Sequence, residues 1–203
     1  MMGNYKIFVE GEADKRFIEQ LVQHLWSVIP EEISVFVTNG YANMMAHGTE
    51  SAYINQMRRT ADDGGVNLVI FDADADCESR RQEIVDWGSK NGVNFELFLL
   101  PDNYGSGALE DLLERIINPA NRVVMDCWDS YENAIRNIRL PWKNGEPLTV
   151  PAKKTKIYAY LEVLLGASKT EKKRIKEKER NYLDKNHWDS DAMALSELVR
   201  FFA

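Results

Sequence analysis

The chain has 203 residues, 44% of them hydrophobic and 28% charged, with a formal net charge of −7. That length can bury a core without disulfides or a structural metal, and no apolar run is long enough to span a bilayer. Its two cysteines, Cys77 and Cys127, have no CxxC spacing, which excludes a disulfide scaffold and predicts a reduced, cytoplasmic setting.

The N-terminal "MMGNYKIFVEGE" lacks a signal-peptide layout and moves straight into "YKIFVEG", a predicted strand with a glycine stop. "ADKRFIEQLVQHLW" follows with Phe17, Leu21, Val22 and Leu25 at helical spacing. "ISVFVTNG" predicts a second strand closed by Asn39 and Gly40, and "TESAYINQMRRTADD" a helix ended by Gly64 and Gly65. "VNLVIFDAD" is a third strand, "ESRRQEIVDWGSKNG" a third helix and "VNFELFLLPDN" a fourth strand. Strands separated by helices of this length imply crossovers and a largely parallel sheet of about four strands, so the predicted class is α/β. Ile7, Phe8 and Val9, like Leu68 to Phe71, are apolar without alternation, as strands buried on both faces are.

After Pro101 the pattern becomes helical. Leu109, Leu112, Leu113, Ile116 and Ile117 form one stripe in "YGSGALEDLLERII". "RVVMDCWDSYENAIRNI" and "KKTKIYAYLEVLLG" predict two more helices around the loop "LPWKNGEPLTVP". Residues 1–118 are therefore expected to form the α/β core and residues 119–203 a helical layer packed on it. Trp128, Trp142 and Trp188 are expected to anchor that layer. Residues 151–185 hold 11 Lys and Arg against 5 Asp and Glu, so an acidic body carries a basic arm. Within the arm, "SKTEKKRIKEKER" predicts a solvated helix with Lys173–Glu177 and Glu171–Arg174 ion pairs.

Two strands end in acid. "FVEGEAD" carries Glu10, Glu12 and Asp14, and "FDADAD" carries Asp72, Asp74 and Asp76. Ligands in open parallel sheets sit at the carboxyl ends of the strands, where Glu10, Asp72 and Asp74 fall. On an extended chain Asp72 and Asp74 point the same way, and two crowded carboxylates suit Mg²⁺, which takes one or two of them and keeps several waters. The competing reading is that these acids cap the next helix, which suits Asp76 best. Glu12 and Asp14 are likewise well placed as first-turn acids, whereas Glu10 precedes the turn. Glu110 and Asp111 open the helix after the fourth strand. Helix-dipole stabilisation accounts for them, and Glu110 is in addition a candidate metal ligand. Lys153, Lys154 and Lys156 stand near the start of "IYAYLEVLLG", either solvated in a loop or, for Lys154, set to contact phosphate. His24, His47 and His187 form no metal spacing.

A strand ending "VEG" plus an acid, followed by a strand ending in DxD within a βαβ chain, resembles the Toprim domain of topoisomerases, DnaG-type primases and overcoming-lysogenization-defect nucleases. The likeness covers roughly the first hundred residues; "FLLPDNYGSGALEDLLE" and "KKTKIYAYLE" also resemble a small uncharacterised family of stand-alone Toprim-like proteins. The resemblance implies a Toprim- or Rossmann-like sheet, with Glu10 as metal ligand or general acid/base and Asp72 and Asp74 as the metal pair. Asp14 corresponds to a second acid that favours two metals. A tyrosine cleavage domain has no room here. The ATPase phosphate loop is missing too, since around "LLGASKT" Ser168 and the preceding Val163 stand where that loop needs glycines. The expected function is that of a Mg²⁺- or Mn²⁺-dependent phosphodiesterase acting on DNA or RNA, with Glu10 and Lys154 catalytic and Glu10, Asp14, Asp72, Asp74 and Glu110 as metal ligands. The alternatives are a non-catalytic module that binds nucleic acid, a protein partner or a second copy, and a small-molecule phosphatase.

Overall fold

The computed structural model describes residues 5–27, 34–46, 51–166 and 168–203. His47, the first residues of the helix expected at "TESAYINQ" and the leading residue of "ISVFVTNG" lie outside them. Four parallel strands form one sheet: β1 (Tyr5–Val9), β2 (Ser34–Val37), β3 (Val66–Asp72) and β4 (Glu96–Leu100), in the order β2-β1-β3-β4. The α/β class with a four-stranded parallel sheet is therefore the observed one. β1 lies centrally because the chain runs out to β2 and then returns across β1 to β3. This reversal puts the topological switch point at the carboxyl ends of β1 and β3, the crevice where open α/β sheets bind ligands.

Successive side chains of each strand face opposite sides, and each side has its own apolar layer. Ile7, Val9, Leu68, Ile70, Phe98 and Leu100 pack beneath α1 (Glu12–Trp26), α5 (Leu109–Arg115), α7 (Lys153–Leu165) and α9 (Ser196–Phe201). Phe8, Val69, Phe71 and Leu99 pack against α2 (Tyr41–Ala46), α3 (Ala52–Asp62) and α4 (Cys77–Asn91). Each fully buried Leu, Ile or Phe contributes about 1.5–3 kcal/mol, so the continuous apolar runs of β1 and β3 explain why these strands are central. α6 (Arg122–Asn137) and α8 (Lys169–Ile175) add Met125 and Ile175 to the first layer, which joins the segment after residue 118 to the sheet.

Three expectations need correction. "SKTEKKRIKEKER" is no single solvated helix: α8 stops at Ile175, Lys176 is extended, and a 3-10 turn at Glu177–Glu179 leads to buried Arg180. Its ion pairs run across the fold instead, Glu177 with Lys154 and Lys172 with Glu162. Only Trp188, 1% exposed, anchors fully; Trp128 is half-buried and Trp142 is 74% exposed, with Lys143 above its ring. A short helix α2 follows the Asn39-Gly40 turn where none was predicted. Among the described residues no helix is long and apolar enough to cross a membrane.

Candidate functional site

Glu10 is the first residue after β1, and its two carboxylate oxygens are held by different elements. Oε2 accepts the backbone N–H of Tyr41 (3.0 Å) at the start of α2, and Oε1 that of Asp72 (3.1 Å) at the end of β3. Burial pushes the Glu10 carboxyl up while these two N–H groups pull it down. Asp72 ends β3, and its Oδ1 accepts the Leu109 N–H (2.9 Å) at the start of α5. Burial, then repulsion from Asp14 and Glu10 and a smaller one from Glu110, pushes Asp72 up to about 8. Asp14 reaches back within α1 to the Gly11 N–H (2.7 Å), a capping contact that sets it on the same crevice. Burial, with repulsion from Glu10 and Glu110, pushes Asp14 up to about 7 against that N–H.

The fold thus gathers Glu10, Asp14, Asp72 and Glu110, drawn from β1, α1, β3 and α5. Glu110 joins because α5 starts where the Leu109 N–H meets Asp72. Among the described residues, none of these four carboxylates forms an ion pair with a Lys or Arg. Buried like charges without a counter-ion hold their protons more tightly, the direction seen at Asp14 and Asp72.

Asp74 stands apart from this set. The expectation that it shares a spot with Asp72 assumed an extended chain, but the strand ends at Asp72 and Asp74 adopts φ 52°. Its backbone bridges Gly107 on both sides, with N–O distances of 2.8 Å, and its exposed carboxylate pairs with Arg80. Its charge still reaches Glu10 as a repulsion. Asp76 caps α4, accepting the Ser79 N–H at 3.0 Å. Lys154 pairs with Glu177 at the rim, chiefly through a hydrogen bond that raises its pKa, and lies within electrostatic reach of Glu110. Lys153 pairs with Asp111, and Lys156 is buried between Glu114 and Asp129. His24 is exposed, and the His187 ring faces Asp184 at 3.4 Å, far in sequence from the acids.

Sequence reasoning missed Tyr41, Leu109 and Arg80. The first two act through backbone N–H groups, which leave no mark in residue type; only the Asn39-Gly40 turn hints that a helix begins opposite Glu10. Arg80 lies one turn into α4, with its guanidinium 3.8 Å from the Tyr41 ring centre and paired with Asp74, so it closes one side of the crevice.

The donor chemistry of the four acids suits a hard divalent cation, since carboxylate oxygens with uncompensated charge are what Mg²⁺ and Mn²⁺ take. The side chains converge without closing: among the described residues no three His, Cys, Asp or Glu groups are arranged to hold an ion. Both Glu10 oxygens and Asp72 Oδ1 accept backbone N–H donors, so ligation would draw first on the remaining Asp72 oxygen and on Asp14 and Glu110.

No curated protein and no solved structure matches the chain. One family model does, over residues 4–203, and that span takes in every element from β1 to α9. The chain accordingly belongs to the family described as "Protein of unknown function (DUF3226)".

Proposed function

We propose that this protein is a Toprim-like, Mg²⁺- or Mn²⁺-dependent phosphodiesterase acting on nucleic acid at the crevice between β1 and β3. One observation carries the reading: Asp14, buried in the first turn of α1, and Asp72, half-buried at the end of β3, are raised to about 7 and about 8, with no basic side chain paired to them among the described residues. Uncompensated buried carboxylates at a switch point mark a functional site better than a structural one. A bound divalent ion would supply an activated water and offset charge on the phosphoryl oxygens. Asp72, Asp14 and Glu110 would hold it. Glu10, locked by two backbone N–H donors, keeps one orientation toward the attacking water and takes its proton as the new P–O bond forms. The old P–O bond breaks, and the leaving oxygen takes a proton from solvent water. Lys154 sits at the rim to meet a substrate phosphate on exchanging its Glu177 partner.

A second reading draws on the pairing of Asp74 with Arg80. With the second acid of the DxD turned outward, the same crevice suits a non-catalytic module that binds nucleic acid or a protein. The deciding experiment incubates plasmid and single-stranded DNA and RNA with the protein in Mg²⁺, Mn²⁺ or EDTA, beside Asp72→Asn and a simple phosphate monoester. Metal-dependent strand cleavage that disappears in Asp72→Asn is the expected result. Binding without cleavage in any metal selects the module, and release of phosphate from the monoester alone selects a small-molecule phosphatase.

A further inference from the structure

The basic arm has an unequal distribution of partners. Lys154, Lys156, Lys172, Lys178 and Lys185 each pair with an acid. Among the described residues, Lys169, Lys173 and Lys176 have no acid partner, and all three are exposed. With Thr170 and Lys172 they line one open hollow of about 680 Å³. Lys169 and Lys173 are four residues apart on α8, where like charges repel, and the single acid of that helix, Glu171, turns to its Ser168 cap.

The hollow is joined to the acidic crevice by the chain itself. Lys176 precedes the 3-10 turn at Glu177–Glu179, whose Glu177 holds Lys154 and whose Lys178 reaches Glu12 (3.4 Å) in the first turn of α1. Lys154 in turn feels the charge of Glu110. The unpaired lysines therefore lead, within two residues of chain, to the ion pairs Lys154–Glu177 and Lys178–Glu12 beside the acids.

We infer that Lys169, Lys173 and Lys176 form a tracking surface for the phosphate backbone of a nucleic-acid strand, leading it to the crevice; the inference rests on the phosphodiesterase reading of that crevice. Lys169 and Lys173 lie about 6 Å apart along α8 at the helical rise of about 1.5 Å per residue, and Lys176 follows one residue past the helix, so the three span about 10 Å. At about 3.4 Å of axis per nucleotide of one strand that length covers about three steps, so three or four successive phosphates lie along it. Three phosphates would compensate these three lysines. A basic strip outside the pocket also reconciles a chain of net charge −7 with a polyanionic substrate, because binding depends on the local field within about 8–10 Å at physiological salt.

The test measures fluorescence anisotropy of a labelled 20-nucleotide oligo-dT in EDTA across a salt series, for wild type, Lys169→Gln/Lys173→Gln/Lys176→Gln, Lys172→Gln and Asp72→Asn. Each phosphate contact on a single strand contributes about −0.7 to the slope of log K against log salt. The triple variant is expected to lose about 2 from that slope and on the order of tenfold or more in affinity at low salt. Lys172→Gln, which removes a lysine already paired, is expected to change the slope by less than the triple variant does per lysine. Unaltered slope and affinity in the folded triple variant, or no binding by wild type, overturns the inference. Binding to phosphatidylserine vesicles in place of the oligonucleotide overturns it as well. Asp72→Asn should still bind oligo-dT in EDTA; strand binding that needs the three lysines but is never followed by cleavage in metal sinks the catalytic reading and leaves the tracking surface standing.

Discussion

Asp72→Asn is expected to stabilise the ion-free protein at neutral and alkaline pH, because it removes a carboxyl that the fold keeps among other acids. The folded chain raises Asp72 from 3.8 to about 8, so between those values the native state holds a proton that the unfolded chain has released. Stability linked to this group is fully present below about pH 4 and is lost as the pH climbs through about 8. At about 1.4 kcal/mol per pH unit, keeping Asp72 in place at pH 7 costs on the order of 4 kcal/mol. Asp14, raised from 3.8 to about 7, carries a cost that overlaps with this one, since each acid raises the other or shares its neighbours. Asparagine keeps an oxygen to accept the Leu109 N–H but gives up charge assistance, a loss of about 1 kcal/mol. With the overlap removed, the net gain at pH 7 is about 2 kcal/mol, or about 4–8 °C in Tm for a chain of this size. Thermal melts in EDTA at about pH 5, 7 and 8.5 should show wild type and variant nearly level at the first and increasingly separated after it. A variant that melts below wild type at the highest pH, or a gap that ignores pH, would refute the reasoning. Mg²⁺ should reverse the order: an ion at 100 times its dissociation constant adds about 3 kcal/mol to wild type. The gain should be much smaller in Asp72→Asn.

Two further substitutions test the supports of the site. Gly107 has φ 141°, and a Cβ there would lie 2.6 Å from Asp111 Oδ2 and 3.1 Å from Pro101. Gly107→Ala should therefore cost about 1–3 kcal/mol. It should also disturb the Asp111 cap of α5, and a Tm equal to wild type would contradict it. Lys156→Met leaves Glu114 and Asp129 without their shared cation at a buried position; both acids retain some solvent, so the expected loss is about 1–3 kcal/mol rather than that of a fully buried pair. Denaturant unfolding checks it, and a rise in midpoint would mean that packing outweighs the ion pairs.

Glu10 and Asp72 were legible in the sequence because a strand end is a local property: an apolar run stops and an acid follows. Asp76 was legible for the same reason, as a cap placed just before a helical pattern. Asp14 was legible only in part. Its spacing announced a first-turn acid, and nothing local announced that the same carboxylate would come within repelling reach of Asp72. Asp74 was misplaced because alternation along an extended chain was carried two residues past the point where the strand ends. The basic arm was misjudged for a related reason: its i,i+4 pairs satisfied a helical pattern, whereas the better partners, Glu162 for Lys172 and Lys154 for Glu177, came from another helix.

By itself the sequence determined the alternation of strands and helices, the buried character of β1 and β3, and the acids at their ends. These follow from periodicity, turn residues and composition, which act between near neighbours along the chain. Only the tertiary structure decided that β1 lies beside β3, so that a carboxylate at Glu10 meets a backbone N–H 62 residues later at Asp72. It also decided that Asp14 and Glu110 join them, that Asp74 leaves for Arg80, and that three lysines of the arm have no acid partner among the described residues. The reason is that electrostatic energy depends on distance and burial through space, and strand order, not sequence spacing, sets both.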